Sequence, residues 1–187
     1  MQAARGTSLS DDETRSAPSR PEDGSTRFRV LLAGIALVAY GLDLLTKQLA
    51  VTRLADGDVA ILGDWFVLHL TFNPGAAFSL GTDFTVALTC LAIVAVGVVL
   101  VVARRVGSTA WALALGLLLG GVAGNLTDRL VRDPGPMRGH VVDMFSLPHW
   151  PVFNVADISI NVAAGLIVLQ AVRGVSVDGS RDKVAER

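Results

Sequence analysis

Residues 139–157 read GHVVDMFSLPHWPVFNVAD, with two aspartates, Asp143 and Asp157, on either side of a turn-forming segment that holds Pro148 and Pro151. Asp143 follows an apolar extended run through Val141 and Val142, and Asp157 lies three residues into a hydrophobic helix that the pattern starts at Asn154. A carboxylate in such a setting is expensive. An ionisable group at the centre of a membrane helix costs about 2.5–3.5 kcal/mol on insertion scales, so it marks a functional site by default. A proline-rich turn that returns the second aspartate toward the first predicts a carboxylate pair at the edge of a membrane-embedded helix.

Moving outward, three more apolar stretches match that helix. Residues 28–51 read FRVLLAGIALVAYGLDLLTKQLAV, residues 84–103 FTVALTCLAIVAVGVVLVVA, and residues 109–130 TAWALALGLLLGGVAGNLTDRL. About 20 apolar residues cross a hydrocarbon core of about 30 Å. The expected fold is therefore an all-α membrane protein of four transmembrane helices, the last spanning 154–172. Composition agrees: of 187 residues 51% are hydrophobic and only 18% charged, beyond the balance of an ordinary soluble domain. A net charge of −1 leaves no basic footprint, which excludes nucleic acid as a partner.

Residues 1–27 are rich in Ser, Asp, Glu, Arg, Pro and Thr, and are expected to form a disordered tail, with a second tail over 174–187. Arg27 and Arg29 precede the first span, Arg104 and Arg105 join the second to the third, and Arg173, Arg181 and Lys183 follow the fourth. The positive-inside rule then places both termini in the cytoplasm. Between the first two spans, WFVLHLTF at 65–72 alternates well enough to form a strand or two of a small extracytoplasmic sheet, and Asn73-Pro74-Gly75 ends it as a turn. The single cysteine, Cys90, reads as a small buried hydrophobe, and His69, His140 and His149 fit no metal-ligand spacing.

With 1.5 Å of rise per residue, Asp43 and Asn125 both stand roughly 23 Å above the cytoplasmic face, and Asp157 about 5 Å below the outer end of its span. Three helices thus place polar groups in one outer layer. Asp43 and Lys47 are i,i+4 neighbours; Asn125, Asp128 and Arg129 share a face, as do Asn154, Asp157 and Asn161. Gly116, Gly120 and Gly124 form a small-residue ridge suited to close helix packing. Two carboxyls within reach of each other in a low dielectric hold one proton between them: one takes a proton from water while the other polarises a carbonyl. That is peptide hydrolysis without a metal or cofactor. Chemistry leaves Asp43, Asp128, Asp143 and Asp157 all as candidates for the pair. A proton-conducting transporter is the rival class, but the chain has no internal inverted repeat and its polar residues do not run through the bilayer.

The motifs DLLTK (43–47), NPGAAF (73–78), GGVAGNLTDR (120–129), GHVVDMF (139–145) and FNVAD (153–157) occur in that order over about residues 28–173. This set resembles the bacterial lipoprotein signal peptidases, the type II signal peptidases. The resemblance implies Asp143 and Asp157 as the catalytic pair of an aspartic peptidase. Asp43, Lys47, Asn73, Gly75, Asn125, Asp128, Arg129 and Asn154 would bind substrate or support the pair. A monomer of the bacterial cytoplasmic membrane, in contact with membrane lipid, is expected, and the resemblance implies a sheet that cradles a diacylglyceryl-modified prolipoprotein cut just before the modified cysteine. The sequence departs from the commoner form of the fourth motif in placing Met144 before Phe145.

Overall fold

A computed structural model describes residues 23–75 and 85–181. Helix α1 spans Asp23–Arg53, strand β1 Val59–Ala60, β2 Val67–Asn73, helix α2 Thr85–Ala103, α3 Thr109–Val131, strand β3 Val141–Ser146 and helix α4 Val155–Val172. All four helices are long and apolar enough to cross a membrane. The chain is a multi-pass membrane protein with a small antiparallel sheet of order β1-β2-β3. The expected fold class is therefore the observed one.

α1 begins five residues earlier than hydropathy places the span, so 23–27 are helical where a tail is expected. Hydropathy dates a helix from its first apolar residue, but backbone hydrogen bonds continue through polar ones. Local contacts hold this turn: Arg29 donates to Ser25 Oγ at 2.6 Å, and the Arg27 guanidinium lies 4.6 Å from the centre of the Phe28 ring. Residues 1–22 and 182–187 lie outside the described residues, as do Ala76–Phe78 of the second motif.

α3 is the central helix, packed against α1, α2 and α4. The glycine ridge explains how. A Cβ on Gly116 would stand 2.8 Å from the Leu32 carbonyl and one on Gly120 2.6 Å from that of Ala36, while one on Gly124 would overlap the Asp43 carboxylate. Gly121 makes the matching approach to α4, where a Cβ would lie 2.7 Å from the Ala156 carbonyl. Such closeness is how helices gain packing where lipid tails are as apolar as leucine. Cys90 corrects an expectation: it is exposed on the outer face of α2, because a helix bordering lipid needs to bury only one side in protein.

The sheet is built across a long sequence separation. Thr71, Phe72 and Asn73 of β2 face Asp143, Val142 and Val141 of β3, with an irregularity between Leu68 and Thr71. After β3 the chain turns through Pro148 and Pro151 and comes back beside itself: Phe145 and Phe153 exchange backbone hydrogen bonds at 2.8 and 3.1 Å, with ring centres 5.6 Å apart. This reversal returns α4 to the level of Asp143. At the other end of the bundle, residues 174–181 are more than a tail. The Val177 carbonyl accepts from Gly107 N–H at 2.9 Å, the Val175 carbonyl from the Trp111 indole at 3.0 Å, and Val177 joins the apolar cluster around Val106.

Candidate active site

Asn154 is the N-cap of α4. Its side-chain oxygen accepts from Asp157 N–H at 2.9 Å, and the Asp157 carboxylate accepts in return from Asn154 N–H at 3.2 Å. This reciprocal capping box fixes Asp157 in the first helical turn, where free N–H groups and the helix dipole favour negative charge. The Asn154 amide nitrogen lies 2.6 Å from Asp143 Oδ1 and 3.3 Å from the Val142 carbonyl. One asparagine therefore touches both carboxylates, that of Asp157 through its backbone N–H and that of Asp143 through its side-chain amide.

The other residues expected at the site converge on this junction. Asn125 donates to Asp157 Oδ1 at 3.0 Å and accepts from Asn154 at 3.1 Å and from Lys47 Nζ at 2.8 Å. Asn73, at the end of β2, donates to Asp143 Oδ2 at 3.0 Å and orders its own turn by accepting from Gly75 N–H at 3.0 Å. Arg129 donates to the Gly75 carbonyl at 2.5 Å and to that of Pro74 at 3.4 Å, holding the turn over the site.

Beneath lies a buried charge cluster. Lys47 and Asp43 are fully buried and Asp128 is 1% exposed. Lys47 Nζ donates to Asn125 Oδ1 at 2.8 Å and lies 2.8 Å from Asp43 and 2.9 Å from Asp128, so three oxygens surround the ammonium. The Asp43 contact is an ion pair through Oδ2, which has no hydrogen-bond partner among the described residues. Asp43 Oδ1 instead accepts from Ala156 N–H at 2.9 Å, a second cap on α4 delivered from α1. Asp128 Oδ2 accepts from Val142 N–H at 3.1 Å, which anchors β3 one residue before Asp143.

Burial pushes the Asp143 carboxyl up to about 6; the nearby Asp157 charge adds to this, while hydrogen bonds from Asn73 and Asn154 and the charge on Lys47 oppose it. All ten residues expected at the site thus form one connected assembly from α1, the β2 turn, α3, β3 and α4. Asn161 does not join: it is exposed and bonds back to the Asp157 carbonyl at 2.9 Å, satisfying itself on its own helix. Two contributors were missed, the Val142 and Ala156 N–H groups, which carry no side-chain signal. A third, Arg132, donates to Asp128 Oδ1 at 2.5 Å and was legible as an i,i+4 pair with Asp128.

A family model for signal peptidase (SPase) II matches residues 35–173, well over half of the chain. The chain belongs to the signal peptidase II family. It is 48% identical over 176 residues to the lipoprotein signal peptidase of Rhodococcus jostii (strain RHA1), covering 93% of this chain and 87% of that one. It is 46% identical over 163 residues to the lipoprotein signal peptidase of Mycobacterium tuberculosis (strain CDC 1551 / Oshkosh), covering 87% and 78%. Among solved structures it is similar to a bacterial membrane enzyme determined by the in meso method at 2.3 Å resolution, with a TM-score of 0.71 over 83% of this chain and 93% of that one. At 20% identity this second likeness speaks for the fold alone. Signal peptidase II membership makes the chain a membrane peptidase, and the family expected from the five motifs is the family found.

Proposed function

We propose that this signal peptidase II family member removes signal peptides from prolipoproteins as an aspartic endopeptidase, cleaving before a diacylglyceryl-modified cysteine with Asp143 and Asp157 as the reacting pair. The observation that carries the reading is the bridge through Asn154, which links a carboxylate on β3 to one on α4. Asp157, at the N-terminal turn of α4, serves as the base and takes a proton from water as the water oxygen attacks the scissile carbonyl carbon. Asp143, raised to about 6, donates its proton to the carbonyl oxygen. When the tetrahedral intermediate collapses, the C–N bond breaks, the proton on Asp157 passes to the leaving cysteine amine, and Asp143 recovers a proton from the gem-diol. The pair is restored and no covalent intermediate forms.

The remaining groups support binding. A signal helix must unwind before its amide can be attacked, and exposed backbone at membrane depth survives only beside protein polar groups. Asn73, Asn125, Asn154 and Arg129 supply such groups, with Gly75 at the tip of the β2 turn and the Asp43–Lys47–Asp128 cluster holding the frame. The peptidase unit is residues 28–173, a monomer surrounded by lipid in the bacterial cytoplasmic membrane. Arg27, Arg29, Arg104, Arg105, Arg173 and Arg181 favour a cytoplasmic location for the helix ends opposite the site, with both termini inside and the pair near the extracytoplasmic face. The test is to incubate the purified full-length protein with a diacylglyceryl-modified prolipoprotein and with its unmodified precursor. Cleavage of the modified form alone is expected; equal cleavage of both would remove the substrate assignment.

A further inference from the structure

Arg132 lies outside the ten residues assembled above. It is the C-cap of α3, where its backbone N–H closes the helix on the Asp128 carbonyl at 3.0 Å. Its side chain returns to the same residue, Nε lying 2.5 Å from Asp128 Oδ1. Among the described residues Oδ1 has no other partner, whereas Oδ2 takes both Lys47 Nζ at 2.9 Å and Val142 N–H at 3.1 Å. Val142 matters twice: it immediately precedes Asp143, and its carbonyl accepts from the Asn154 amide that also meets Asp143.

We propose that Arg132 is a positioning residue for the reaction, fixing the rotation of the Asp128 carboxylate that presents Oδ2 to Val142 and so setting the contact between Asp143 and Asn154. The inference rests on Asp143 and Asp157 being the reacting pair. A carboxylate is symmetric, and with Oδ1 released it turns to offer both oxygens to Lys47, the other cation paired to it. Val142 N–H is then left without a partner in a dry setting, and β3 must shift or admit water to satisfy it. Either response moves Asp143 relative to Asn154.

Asp128 is sealed, but Arg132 is not. Its side chain is 24% exposed and, with Val51, Phe72, Val131, Asp133 and His140, it lines a cleft of about 610 Å³. The guanidinium can therefore be replaced from outside, which separates positioning from simple support of the fold.

The experiment compares the steady-state kinetics of Arg132→Gln, Arg132→Lys and Arg132→Ala with wild type, using full-length protein in detergent and a diacylglyceryl-modified prolipoprotein, with rates referred to the folded fraction. In Arg132→Gln, kcat is expected to fall about 10- to 100-fold, the scale of a sub-ångström to ångström misplacement of reacting groups, with KM within about twofold of wild type. Arg132→Lys is expected to fall between the two, and millimolar guanidinium to restore part of kcat in Arg132→Ala. Val131→Ala, on the exposed wall of the same cleft, is expected to match wild type. The proposal is overturned if kcat in Arg132→Gln stays within about twofold of wild type, if neither lysine nor guanidinium recovers activity, or if Val131→Ala is equally impaired. Asp143→Asn in the same assay keeps the two claims apart. Cleavage by Asp143→Asn defeats the assignment of the pair, whereas a silent Asp143→Asn beside a normal Arg132→Gln defeats only the role of Arg132.

Discussion

Replacing Asp143 with Asn should make the protein inactive and, above neutral pH, more stable. Burial first, and then the charge on Asp157, raise the Asp143 carboxyl from its ordinary 3.8 to about 6. That displacement corresponds to about 3 kcal/mol of folding free energy. The sign follows from proton uptake. Below 3.8 the carboxyl is protonated whether the chain is folded or unfolded, so the full stability is present. As pH rises through about 6 the folded protein must ionise a buried group, and that stability is lost. Asparagine stays neutral throughout. It has one acceptor oxygen where Asp143 uses two, toward Asn73 at 3.0 Å and Asn154 at 2.6 Å, so one hydrogen bond worth about 1 kcal/mol is lost at every pH. Asp143→Asn should then be about 1 kcal/mol less stable than wild type near pH 3 and about 2 kcal/mol more stable near pH 7.5. Denaturant unfolding in detergent micelles at the two pH values measures this directly. A difference between variant and wild type that stays constant within about 1 kcal/mol would refute the burial argument.

Other substitutions test other parts of the assembly. Lys47→Met leaves Asp43 and Asp128 buried without their shared cation and should cost about 3–5 kcal/mol in the same unfolding assay; a loss under about 1 kcal/mol would show that the cluster is not dry. Gly120→Leu drives a side chain into the Ala36 carbonyl and should cost about 1–3 kcal/mol or more, lowering the yield of folded protein more than the cleavage rate per folded molecule; a stable but inactive variant would count against the packing role. Asn154→Ala removes a helix cap worth about 1 kcal/mol and also the bridge between the aspartates, so cleavage should fall far more than the unfolding midpoint; proportionate losses in both would mean Asn154 only caps α4.

Much of this architecture could be read from the chain because a membrane restricts the choices. Apolar length fixed the four spans to within a residue or two at most ends, and the expense of Asp43, Lys47, Asn125 and Asp157 in such spans drew attention to one layer. Pro148 and Pro151 announced the reversal that brings α4 beside β3. The pairing of β2 with β3 was not legible, because the contact of Thr71 with Asp143 is made across some seventy residues and neither strand carries a local sign of its partner. Backbone donors such as Val142 and Ala156 N–H are silent in sequence for the same reason: any residue at those positions would offer them. The early start of α1 is not legible because hydropathy marks only where a helix enters lipid. Gly121 carries no such signal because it breaks the four-residue rhythm of Gly116, Gly120 and Gly124, yet it faces a different helix.

The most direct test uses purified Asp157→Asn protein, verified as folded, with a diacylglyceryl-modified prolipoprotein as substrate. With water activation shared between two carboxyls, no cleavage above background should be seen over times in which wild type processes all of the substrate. Cleavage at a rate near that of wild type would mean that the carboxyl on α4 takes no part in the chemistry.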